Sequence, residues 1–146
     1  MSPPRFALVL AAMALLSLLS ASLFHETLSA SLQASIGYIN VRLQNAVVVE
    51  GVNVCTVTEV SDEIVYVDVN GQSGDECVIE VVAQNSGTVP ARLSGVDSGV
   101  EEVQGENVED GTVLPGSSGT VKFRLKFLQN YQGTVEAFPQ FVMGPP

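Results

Sequence analysis

The stretch VKFRLKF, residues 121–127, sets Val121, Phe123, Leu125 and Phe127 in strict alternation with Lys122, Arg124 and Lys126. Successive side chains of a β-strand point to opposite faces, so this heptapeptide reads as a strand with one apolar and one charged side. Working outward, the same kind of segment recurs. Apolar runs at 38–43, 46–49, 52–60, 64–69, 77–83, 89–93 and 133–142 are separated by turn signals such as Glu50-Gly51, Ser61-Asp62, Asn70-Gly71 and Asn85-Ser86-Gly87. A short strand is expected around residues 100–103, inside the Gly- and acid-rich stretch 97–119. Pro90 marks the run at 89–93 as an edge or irregular strand. About eight short strands at this spacing predict an all-β, two-sheet sandwich of jelly-roll or Ig-like type. No internal repeat and no linker divides it.

Residues 1–22 read as a secretory signal peptide. Arg5 precedes the 14-residue apolar run FALVLAAMALLSLL, and Ser20, Ala21 and Ser22 suit a peptidase cutting before Leu23. Counting on to Phe24 gives 19 residues and leaves an uncleaved anchor as the alternative reading, but the run itself is short of the ~20 residues of a membrane span. Contact with the membrane is therefore expected to be transient, through the signal peptide alone. No cysteine at the cleavage point provides for a lipid, and the ending FVMGPP carries no hydrophobic tail. The expected mature chain, residues 23–146, has five basic and 16 acidic residues, a formal charge of −11. That balance excludes nucleic-acid binding, since nothing neutralises phosphates, and suits a soluble, self-repelling surface. Cys55 and Cys77 are the only cysteines. An even pair in an exported chain is expected to form a disulfide, with two buried thiols as the alternative.

The mature chain opens on a second alternating stretch. Phe24, Glu26, Leu28, Ala30, Leu32, Ala34 and Ile36 share one side, and His25, Thr27, Ser29, Ser31, Gln33 and Ser35 the other. Phe24, Leu28, Leu32 and Ile36 also fit a helix face, but four Ser or Thr among residues 27–35 favour a strand. As a strand, these 13 residues reach about 44 Å at ~3.4 Å each, against about 17–20 Å for strands of globular domains. The segment 23–36 is thus expected to extend beyond its own domain, residues 37–146. After Gly37 the apolar phase flips to Ile39, Val41 and Leu43, and Gly37 suits a kink there.

Little chemistry is legible. The one histidine, His25, has no triad partner nearby, and His25-Glu26 lacks the second histidine of a zinc-protease helix. No metal or cofactor site is expected, and the protein reads as a non-enzyme. Glu101, Glu102, Glu106, Glu109 and Asp110 lack the spacing of a calcium loop and read as a solvated, repelling segment. Lys122, Arg124 and Lys126 admit two readings, carboxylate pairing with a neighbouring subunit or a solvent face that discourages edge pairing.

Four stretches, in order, resemble the TasA/camelysin family of secreted filament subunits and the related archaeal bundling-pilus subunits. They are LFHETLSASLQASIGYINV (23–41), NSGTVPARL (85–93), LPGSSGTVKFRLKF (114–127) and NYQGTVEAF (130–138). The resemblance implies a jelly-roll subunit that polymerises outside the cell by donor-strand complementation. Phe24, Leu28, Ala30, Leu32 and Ile36 of one copy would fill a groove in the next. The expected partners are other copies of the chain, in an open helical homopolymer at the cell surface that supports adhesion or a biofilm. Some members of the family are metallopeptidases, and this chain lacks the ligands for it. The rival readings are a monomeric secreted sandwich that binds a ligand and a camelysin-like hydrolase.

Overall fold

The computed structural model describes residues 37–145. The expected signal peptide, residues 1–22, and the expected donor residues Phe24, Leu28, Ala30, Leu32 and Ile36 lie outside them. The compact body begins at Tyr38. It is all-β, with nine strands: β1 (Val41–Glu50), β2 (Cys55–Val60), β3 (Val65–Gly71), β4 (Glu76–Asn85), β5 (Ala91–Asp97), β6 (Val103–Asn107), β7 (Thr112–Val113), β8 (Ser117–Phe127) and β9 (Tyr131–Met143). Two antiparallel sheets, ordered β1-β4-β8-β6 and β2-β3-β9-β5-β7, face each other across one core.

Alternation makes that core. Val121, Phe123, Leu125 and Phe127 of β8 are buried, as are Val65, Val67 and Val69 of β3 and Cys77, Ile79, Val81 and Ala83 of β4. Most of their alternating neighbours are polar and line the outer faces, Val78 and Val82 of β4 excepted, so each strand presents an apolar side to the opposite sheet. Burying a side chain of this size contributes about 1.5–3 kcal/mol.

Several strand limits differ from those read in the sequence. The runs at 38–43 and 46–49 are one strand, β1, carried past the change of apolar phase by a register shift between Leu43 and Asn45. A bulge adds one residue without ending the pairing, which periodicity alone reads as a break. The run at 52–60 starts late, at Cys55, because Gly51, with φ of +77°, turns the chain there. The strand expected at 100–103 begins at Val103 and runs to Asn107. The Asn70-Gly71 signal lies within β3, and the turn follows at residues 72–75.

Cys55 and Cys77 form a disulfide, with sulfurs 2.06 Å apart. It joins the edge strand β2 of one sheet to β4 of the other. Both cysteines are buried, so reduction requires opening of the sandwich. In the chain-entropy account, a loop of 22 residues stabilises by roughly 3 kcal/mol. Urea unfolding of the Cys55→Ala/Cys77→Ala protein should show a loss of about that size, within ~1 kcal/mol. An unchanged midpoint would remove the bridge from the account of stability.

Candidate functional site

The two sheets do not end together. β3 starts at Val65, opposite Ala137 of β9, whereas β9 continues to Met143. Past Ala137, β9 keeps a partner on one side only, the β5 strand, which pairs with Phe138 to Met143. On the other side no strand pairs with it among the described residues. The gap forms a groove of about 320 Å3 lined by Ile39, Val41, Leu43, Asp62, Glu63 and residues 138–141.

Each wall follows from local sequence. Leu43 is buried, and Ile39 and Val41 are half-buried on the same odd-numbered face of the chain entering β1. They form the floor, in the sheet opposite. Pro139 and Phe141 face inward from β9, with Pro139 buried and Phe141 packed against the core. The β2–β3 turn bounds one end, tied to the floor by the Leu43 N–H donating to the Asp62 carbonyl at 2.8 Å. The turn itself closes on Ser61, whose hydroxyl accepts from the Ile64 N–H at 3.0 Å. At ~3.4 Å per residue, the six positions 138–143 give a slot about 20 Å long.

Two of the other free edges, those of β1 and β2, carry polar side chains, although β1 also exposes Val47 and Val49. β1 carries Arg42, Gln44, Asn45 and Glu50 and two register shifts, and β2 carries Thr56, Thr58 and Glu59 with a shift of its own. Polar side chains and bulges are how natural sheets discourage strand addition. The open stretch of β9 reads FPQFVM. Only Pro139 among them opposes pairing, by lacking an N–H, and Phe138, Val142 and Met143 are exposed.

The other end of the slot is built on Asn85. Its side chain is fully buried and fully satisfied. Oδ1 accepts from the Gly87 N–H (2.9 Å) and the Asn40 N–H (3.3 Å), and Nδ2 donates to the carbonyls of Val89 (2.8 Å) and Val113 (3.1 Å). One amide thus fixes the entry to β1, the β4–β5 turn and β7. Gly87 must be glycine, because a Cβ there would meet the Tyr38 carbonyl and would lie 2.7 Å from the Ile39 Cα. Sequence reading marked Asn85-Ser86-Gly87 as a turn. Its further role in holding Ile39 against the slot needs the fold.

The basic row of β8 is largely engaged within the chain. Arg124 Nη1 donates to Glu106 Oε1 at 3.0 Å, and its Nε lies 3.3 Å from Glu76 Oε2 as an ion pair without a hydrogen bond. The Glu106 hydrogen bond, aided by the charge of Glu76 and opposed by partial desolvation, raises the Arg124 pKa above its ordinary value. Lys122 approaches Glu80 at 3.9 Å, and Lys126 is exposed opposite Glu76. Of the acidic stretch, Glu106 is the member that meets a cation, and Glu101, Glu109 and Asp110 do not among the described residues.

A larger groove of about 430 Å3 on the outer face of the five-stranded sheet is lined mainly by Asn53, Thr56, Asp68, Asn70, Gln132 and Thr134. It holds no nucleophile paired with a base. Among the described residues no three His, Cys, Asp or Glu side chains are grouped to hold a metal ion, and no helix is long and apolar enough to cross a membrane. No family model, curated protein or solved structure matches the chain.

Replacing Asn85 by leucine keeps the branching at Cγ, adds bulk, and leaves four backbone groups without their partner. Each buried group left unpaired costs about 1–3 kcal/mol. Thermal melts of Asn85→Leu should therefore show a severe loss of stability, with no soluble fold as its extreme. A melt like that of the native protein would mean that water or rearrangement replaces the amide.

Proposed function

We propose that the protein is the structural subunit of an extracellular filament of the TasA/camelysin type, joined head to tail by strand addition. The observation that carries this reading is the apolar, unpaired stretch of β9 beside the groove floored by Ile39, Val41 and Leu43. A strand placed there gains ladder hydrogen bonds from β9 and buries its inner side chains between the sheets, the two elements of β-augmentation. The sequence offers a candidate for such a strand in residues 23–36, where Phe24, Leu28, Ala30, Leu32 and Ile36 fall on one side of the alternation. Each large side chain seated in the slot contributes about 1.5–3 kcal/mol.

The donor and the acceptor are different surfaces of one molecule. Such a contact is heterologous and repeats into an open fibre instead of closing as a dimer. Export and removal of residues 1–22 would free the donor, confining assembly to the outside of the cell, where the fibre would serve adhesion or a biofilm. The role is structural, not catalytic. Ile39 supports it in particular, since it lines the slot and is not among the side chains packed on the core.

Two variants separate the halves of the joint. Deletion of residues 23–32 behind an intact signal removes the donor and spares the slot. Ile39→Lys spoils the slot and spares the donor. Each alone should stay monomeric by light scattering with a normal melt. Mixed, they should form one-to-one pairs and no fibres, because one supplies the arm and the other the groove. Filaments of the deletion variant in electron micrographs would refute the reading.

A further inference from the structure

Resting on that reading, we infer that Pro139 is a brake on strand addition: it helps to fill the groove while withholding one of the slot's backbone donors. Hydrogen bonds already made to β5 show which groups of β9 face the slot. The Gly144 N–H donates to the Pro90 carbonyl at 2.7 Å, and the Gln140 carbonyl accepts from the Ser94 hydroxyl at 3.0 Å. Even-numbered residues at this end of β9 therefore aim their backbone groups at β5. Those groups alternate between the two edges of a strand. The register shift between Leu93 and Gly95 adds its extra residue to β5 and leaves the count along β9 unbroken. Leu93 agrees: it stands opposite Phe141, yet its N–H turns away from β9 to the Gly111 carbonyl at 2.9 Å. The groups aimed at the slot are thus those of Pro139, Phe141 and Met143.

These positions present a carbonyl each, but N–H groups only at Phe141 and Met143, because proline has none. A strand laid beside them, whichever way it runs, finds an acceptor at every position and leaves one of its own carbonyls without a donor. The imide sits at the closed end of the slot, two residues past Ala137, where β3 stops. Pro139 is buried there. An N–H at that position would stand unpaired against an apolar groove until a strand arrived, a cost that proline avoids. Proline thus favours the vacant slot on two counts: it strands no donor before association and supplies none after it. Ladder hydrogen bonds accept any strand, whereas pockets read side chains. Withholding a rung therefore favours an arm whose apolar residues fit the floor of Ile39, Val41 and Leu43 over indiscriminate edge pairing.

The critical concentration for fibre growth, measured by sedimentation with a melt of each protein to verify the fold, tests the brake from both directions. Pro139→Val restores the N–H on a residue suited to a strand and should lower that concentration about five-fold, the scale of one net hydrogen bond. Met143→Pro, at the exposed end of the slot, removes a further donor. It should raise the concentration about five-fold above that of Met143→Ala, which removes the side chain alone. A folded Pro139→Val protein that grows fibres no more readily than native would overturn the brake. Should Pro139→Val fail to fold, the Met143 pair decides, and Met143→Pro assembling as well as Met143→Ala would overturn it too. The filament reading survives both of those results. Native protein that forms no fibres would overturn that reading and the brake with it.

Discussion

A mismatch in strand length governs this molecule. β9 runs from Tyr131 to Met143, and its neighbour β3 covers it only as far as Ala137. Among the described residues the last six positions of β9 therefore lack a partner on the β3 side, as its first seven do on the β5 side, and the last six also carry exposed apolar side chains. Backbone polar groups facing an apolar groove are a standing driving force for association, because water satisfies them poorly there and a strand satisfies them fully.

The rest of the body preserves that vacancy as a shaped slot. The Asn85 amide holds the entry of β1, so that Ile39 and Val41 form a floor instead of folding over β9. The Leu43 N–H to the Asp62 carbonyl holds the β2–β3 turn back from the gap. The Cys55–Cys77 bridge ties the edge strand β2, at its end remote from that turn, to a central strand of the opposite sheet. A sandwich this well cross-tied keeps its shape without the missing strand, which is what a subunit needs if it must wait for a partner.

Much of this was legible in the chain, for definite reasons. The alternation of β8 and the valines of β3 reveal a sandwich, because half-buried strands follow period two. The pairing of Cys55 with Cys77 follows from their number and from the expected export. The bulge inside β1 was misread as a strand boundary, because one extra residue shifts apolar phase as a turn would. The position of β6 was missed because its pattern, VQGEN, carries a single buried side chain at Val103. The slot has no local signature at all. It arises from where two distant strands stop, Val65 and Met143, and only their register shows it. The row Lys122, Arg124 and Lys126 left two uses open, and cross-strand register decides that Arg124 first serves Glu106 and Glu76 of its own chain.

A density map of the assembled filament, at a resolution that traces the backbone, tests the central claim most directly. The account predicts a strand beside residues 138–143 in every subunit, continuous with the body of the adjacent copy. A strand there that leads back into the same body, or a slot left vacant along the fibre, would contradict it.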